Sequence, residues 1–410
     1  MPDLSVTRAS AALHPDWDPA TGLDSVVADL RTRPALVTAC SCYSLQRELA
    51  AAAAGAALVI QAGDCAERFT DASSESMGAK LDLLTGLADQ AEVATGVPVV
   101  RIGRFAGQYA KPRSSPVQIL AGGRQLPVYR GDAVNSPEPD PAARIADARR
   151  LLAAYDHSAQ ALDELFLGDL LPPFGGTAHP HSVTYASHEA LLLDYEQALV
   201  RTDDLQGGHY GSSGHMLWIG ERTRDVDGPH IAFAAEVTNP VGVKLGPDAT
   251  ARDVATLIAR LAHGRSPGRL SLITRMGPRL GQVLPALLDE LGPLAGQALW
   301  LCDPLHGNNT HNRFGQRTRV VDDVVAEVRA CTAALAAAGL ALAGLHLETT
   351  PEPVRECVDS SAELTRRLDH YTTVCDARLN TEQAAAVVAA ALDAGWGRPV
   401  PRDREMENSA

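Results

Sequence analysis

The sequence predicts a (β/α)8 barrel, a closed ring of eight parallel strands wrapped by helices, and three observations carry that prediction. Long Ala/Leu-rich amphipathic segments alternate with short β-branched apolar runs, the pattern of a parallel sheet with crossover helices. The short runs number eight. Ionisable residues gather just after nearly every run, which is where this barrel builds its chemistry.

The expected strands are 57–61 "ALVIQ", 98–102 "PVVRI", 215–220 "HMLWIG", 241–244 "VGVK", 269–274 "RLSLIT", 298–302 "ALWLC", 343–347 "AGLHL" and 372–375 "TTVC". Helices are expected between them: "SMGAKLDLLTGLADQAEVATG", then "TARDVATLIARLAHG" with Thr250 and Asp253 as a capping pair, "DDVVAEVRACTAALAAAGL" stopping at Gly339, and "TEQAAAVVAAALDAGWG". One domain is expected over 1–410, with an N-terminal arm at 1–50, a helical insertion at 105–214 between strands two and three, and a polar tail at 398–410.

Composition narrows the function. The net charge of -14 argues against nucleic acid or an anionic membrane as partner. No run approaches the roughly 20 apolar residues of a membrane helix, and the first residues lack a signal peptide's basic and apolar regions, so a cytoplasmic protein is expected. The seven cysteines are scattered and odd in number, which reads as reduced thiols. Only three of the 36 basic residues are lysines, Lys80, Lys111 and Lys244, so each asks for a reason.

Two groups of residues stand at the strand ends. Cys65, His306, Glu348 and Asp376 follow strands one, six, seven and eight, which are contiguous around a closed barrel. A thiolate, an imidazole and two carboxylates suit Mn2+, Co2+, Fe2+ or Zn2+. The residues alone leave a second reading open, in which Cys65 is a small buried side chain and His306 a satisfied loop histidine. The other group, Arg104, Lys111, Arg113, Arg222, Lys244 and Arg275, lies on the opposite arc and reads as an anion site or as a solvated basic face. A metal-dependent hydrolase would use similar ligands without needing six rim cations. A catalytically silent barrel kept as a binding partner is the reading from another class.

The stretches "GDCAERF", "GRFAGQYAKPRSSP", "LWIGERTR", "NPVGVKLGP", "LITRMG", "CDPLHGNN", "GLHLE" and "CDARLN" resemble, in order and across about 35–395, the type II 3-deoxy-D-arabino-heptulosonate 7-phosphate (DAHP) synthases. The resemblance implies a condensation of phosphoenolpyruvate with erythrose 4-phosphate that releases phosphate and opens the shikimate pathway. It implies a divalent ion, Mn2+ first with Co2+ or Zn2+ as alternatives, held by Cys65, His306, Glu348 and Asp376. It makes Arg104, Glu221, Arg222, Lys244 and Arg275 the phosphoenolpyruvate pocket with Trp218 beneath, and places Lys111 between the substrates. Arg113 with Ser114 would clamp the erythrose phosphate, and Asp303 would touch the aldehyde's hydroxyls. Lys111, Glu221, Lys244 and His306 are the expected catalytic groups, and a homodimer or larger oligomer is expected.

Compared with longer members, the chain looks trimmed at its N-terminus and in the insertion, like short, feedback-insensitive forms that serve phenazine or other secondary pathways. "TTPEPVREC", "HGNN" and "YTTVCDARLN" depart from the family pattern beside Glu348, His306 and Asp376. They bear on which aldehyde is accepted, and an amino sugar phosphate, as in aminoshikimate pathways, is the alternative acceptor. Cys375, beside Asp376, is read either as a buried strand thiol or as an oxidation partner of Cys65.

Overall fold

A computed structural model of the chain describes residues 13–113, 115–119, 123–170, 183–204, 207–262, 264 and 266–398. Eight parallel strands close a barrel in chain order: β1 (Leu58–Gly63), β2 (Val99–Arg104), β3 (Thr184–Glu189), β4 (Met216–Ile219), β5 (Val241–Leu245), β6 (Leu270–Thr274), β7 (Leu299–Cys302) and β8 (Gly344–Glu348). Helices α1 (Leu23–Thr32) and α2 (Ala39–Ala53) precede the barrel. Of the others, α3 (Ser74–Thr95) follows β1, α4 (Arg150–Leu170) lies in the insertion, and α5 (Leu193–Ala198) follows β3. Then α6 (Pro229–Glu236), α7 (Ala251–Leu261), α8 (Leu280–Leu291), α9 (Val321–Ala337) and α10 (Thr381–Asp393) follow β4 to β8 in turn.

The barrel is as expected, but two strand assignments are corrected. The third strand, "TYASHE", falls inside the stretch 105–214 read as insertion, which therefore ends before residue 184. Its residues escaped the apolar-run criterion because its inward side chains are polar and bonded within the barrel: Gln61 donates to Ser187 Oγ at 2.9 Å, and Ser187 donates to the Gly103 carbonyl at 2.8 Å. Conversely, 372–375 is not a strand, despite its β-branched run. The Thr372 and Thr373 amides donate to Glu356 Oε1, at 3.2 and 2.7 Å, rather than to a neighbouring strand. Asp376 thus stands in the loop between β8 and α10.

Two packing layers position the site. Outside the strands, the amphipathic faces of α3 and α6–α10 form one continuous core with the strands' outward side chains. Inside, Leu45 and Leu49 of α2 are fully buried against Val59, Val100, Ile102, Ile273, Leu299 and Leu301. The arm before β1 therefore plugs the N-terminal end of the barrel, and the Thr38–Ser41 capping box fixes where that plug begins. Truncating Leu49 to Ala would cost about 2–5 kcal/mol. Helix α1 caps a second core with α4, α5 and the insertion, where Trp17 donates to Asp194 Oδ2 at 3.0 Å. Among the described residues, no helix is long and apolar enough to cross a membrane.

Candidate active site

The loops after the C-terminal ends of the strands surround a cavity of about 480 Å3. It is lined by Arg104, Lys111, Arg113, Trp218, Glu221, Arg222, Lys244, Arg275, His306 and Asp376, ten of the residues singled out in the sequence. Ser114 lies outside the described residues. Cys65 and Glu348 are buried beside this lining.

The end of β1 sets the geometry. Gly63 is paired with Arg104 on one side and Glu348 on the other. Its φ of 147° suits glycine, and a Cβ there would meet the Arg104 carbonyl at 2.9 Å. Across that gap Arg104 Nη2 reaches Glu348 Oε1 at 2.9 Å. Cys65 follows immediately, where Asp376 donates its amide to Sγ at 3.3 Å and holds Oδ2 at 3.7 Å from it.

Ligand atoms of Cys65, Glu348 and Asp376 all lie within 4.8 Å of one another, and all three residues are buried. His306 Nε2 is 3.0 Å from Glu348 Oε1, so the fourth expected ligand adjoins these three through Glu348. Asp303 lies 2.7 Å from His306 Nδ1, which turns Nε2 toward the group. The donor chemistry fits a divalent transition ion. Burial alone would raise the carboxylate pKa values, yet both are held low: Glu348 by His306, Lys111 and Arg319, and Asp376 chiefly by Lys111. The Cys65 thiol is pushed up by burial and then by its hydrogen bond with Cys375.

The opposite arc is a set of cations on an aromatic floor. Trp218 is buried, with Arg104 4.9 Å and Lys244 5.9 Å from its ring centroid. Arg222 is exposed at the rim, and Arg113 and Arg275 are half-buried. Lys244 pairs with Asp303 and contacts His346 Nε2 at 2.8 Å. Burial lowers its pKa to about 8, with Asp303 opposing the shift and Arg104 reinforcing it. Lys111 stands between the arcs, its Nζ 3.0 Å from Glu348 Oε1 and 3.8 Å from Asp376 Oδ2.

Asp303 does not line the cavity, and Glu221 lines it while paired within the protein. Asp303 is fully buried behind His306 and Lys244. Glu221 is engaged by Arg224 through two bonds of 3.0 Å. Four residues of the site were missed. Arg319 donates to Glu348 Oε2 at 2.7 Å. Arg317 pairs with Asp376 Oδ1 at the cavity wall. His346, one layer below Glu348 on the same inward face, is held neutral by burial beside Lys244 and Arg104, and its Nδ1 lies 2.7 Å from Gln61 Oε1. Glu189 ends the missed strand at the cavity wall, with Oε1 buried and without a hydrogen bond. Burial raises its pKa against the pull of four nearby cations. The period-two pattern of "GLHLE" carried the signal for His346; recognising β3 was the condition for finding Glu189.

Comparison with known proteins gives the family. The model of the class-II DAHP synthetase family matches residues 3–167 and 176–391. A probable phospho-2-dehydro-3-deoxyheptonate aldolase of Pseudomonas fluorescens is 40% identical over 386 residues, covering 94% of this chain and 95% of that protein. The phospho-2-dehydro-3-deoxyheptonate aldolase of Streptomyces coelicolor is 38% identical over 418 residues, covering 91% and 93%. The solved structure of a phospho-2-dehydro-3-deoxyheptonate aldolase from Francisella tularensis superposes with a TM-score of 0.54 over 93% of this chain and 96% of that one; at 12% identity it supports the fold alone. The family model spans most of the chain, and both close relatives match nearly end to end: the chain belongs to the class-II DAHP synthetase family.

Proposed function

We propose that this protein condenses phosphoenolpyruvate with erythrose 4-phosphate, giving DAHP and phosphate. The observation that carries the reading is one cavity with a ring of Arg and Lys on one arc and the Cys65, His306, Glu348 and Asp376 donors on the other. Arg104, Arg222, Lys244 and Arg275 hold the phosphate and carboxylate of phosphoenolpyruvate over Trp218, since guanidinium forks match both anions. Arg113, which lines the cavity together with Arg317, takes the aldehyde's phosphate. When bound, a divalent ion, Mn2+ by our reading, supplies a Lewis acid for the aldehyde oxygen.

Lys111 keeps a positive charge between the two substrates as C3 of the enol phosphate bonds to the aldehyde carbon. Water must then add to C2, and its proton needs an acceptor. Of the carboxylates lining the cavity, Glu221 is occupied by Arg224 and Asp376 by Arg317, whereas Glu189 keeps a free oxygen. We assign that role to Glu189. The C2–O bond to phosphate then breaks, leaving the ketone of DAHP.

We further propose that the enzyme is insensitive to Phe, Tyr and Trp and works in the cytoplasm as a homodimer in secondary metabolism. Mass analysis of the product from erythrose 4-phosphate or its imino analogue, in the presence of phosphoenolpyruvate and Mn2+, tests the reading. DAHP is the expected product. An amino product alone would move the assignment to an aminoshikimate branch, and no product from either would leave a silent barrel.

A further inference from the structure

Two of the three lysines face the cavity; the third, Lys80, does not. It lies on α3 and is 7% exposed. Its Nζ is 2.7 Å from Asp64 Oδ2 and 3.7 Å from Glu67 Oε1. These two acids flank Cys65, so one buried ammonium grips the loop on both sides of the thiol.

The grip extends to two further loops. Asp64 Oδ1 accepts from Arg378 Nη1 at 3.1 Å, and Arg378 is held by Glu356 through Nε at 3.1 Å and Nη2 at 2.9 Å. Glu356 also takes the Arg378 amide at 2.8 Å and the Thr373 amide at 2.7 Å, which fixes the turn that presents Asp376. Glu67 accepts the amides of Ala106, Gly107 and Gln108 at 3.1, 3.1 and 2.9 Å, fixing the loop that leads to Lys111. None of Lys80, Asp64, Glu67, Glu356 and Arg378 is among the described residues lining the cavity.

We propose that Lys80 is a positioning residue for the divalent-cation site, acting through Asp64 and Arg378–Glu356 to hold Cys65 and Asp376 at ligating distance. The inference rests on the reading of Cys65, His306, Glu348 and Asp376 as that site. Groups that hold metal ligands in place typically change affinity 10–100-fold when removed. Simple electrostatics predicts the opposite sign, because deleting a nearby positive charge favours a cation. The direction of the change therefore separates positioning from charge.

The test is a Co2+ titration of metal-stripped protein, followed by the thiolate-to-cobalt absorption band, with circular dichroism confirming the fold. Lys80→Met is expected to bind Co2+ at least about tenfold more weakly than the wild type. Lys80→Arg, which keeps the charge and a donor, is expected to recover most of the affinity. Arg378→Gln, which also deletes a positive charge from the network, is expected to weaken binding in the same direction, and it decides the matter if Lys80→Met does not fold. Unchanged or tighter binding in the folded variant would overturn the proposal. A wild-type protein that binds no Co2+ would instead overturn the reading of the metal site itself.

Discussion

The two arcs of the cavity solve opposite electrostatic problems. On the arc of β7, β8 and β1, every acid is paired: Glu348 alone meets Arg104, Lys111, His306 and Arg319 within 3.0 Å. On the arc of β4 and β6, Arg222 and Arg275 spend hydrogen bonds on backbone carbonyls, of Pro112 at 3.2 Å and His306 at 2.9 Å. One side is assembled and charge-balanced by protein alone; the other offers cations to the charges of a ligand. On the proposed function, the difference teaches that the donor group is a buried fixture of the protein, while the cation arc is completed by its substrate.

The largest effect that sharpens this contrast is Glu348→Gln. Losing a proposed ligand that also anchors three cations should cut phosphate release about a thousandfold, because a bound Lewis acid is worth several kcal/mol. Metal analysis of the purified variant should show substoichiometric loading, and full loading with normal turnover would break the comparison. Arg222→Ala, on the open arc, should raise the KM for phosphoenolpyruvate roughly tenfold or more with a smaller change in kcat and unaltered Co2+ affinity.

Glu327 of α9 offers a subtler contrast. It accepts the Met276 and Gly277 amides at 2.8 and 2.7 Å and Asn308 Nδ2 at 2.7 Å, tying the Arg275 loop to the loop after His306. Glu327→Ala should raise the KM for phosphoenolpyruvate severalfold, about 1 kcal/mol, as read by steady-state kinetics. The smallest effect is on pH. Lys244 loses its proton near pH 8 in the ligand-free protein, so kcat/KM for phosphoenolpyruvate should fall as pH rises through that value. Lys244→Arg should flatten that limb, and a limb unchanged by the substitution would assign it to another group.

Much of this was legible before any coordinates. Motifs at the strand ends named both arcs, because a parallel barrel makes sequence order into spatial order. The polar interior was less legible. Strand β3 carries Ser187 and His188 where apolar residues were sought: Ser187 bonds Gln61 and the Gly103 carbonyl inside the barrel, and His188 pairs with Glu196 of α5. Missing that strand hid Glu189. Pairings such as Lys80 with Asp64, or Arg319 with Glu348, join residues far apart in the chain, and no spacing rule connects them.

The most direct measurement is phosphate release from phosphoenolpyruvate by metal-stripped protein, with and without Mn2+ and with and without erythrose 4-phosphate. The account predicts release only when both are present. Release without the aldehyde, or release undiminished by stripping the metal, would contradict it.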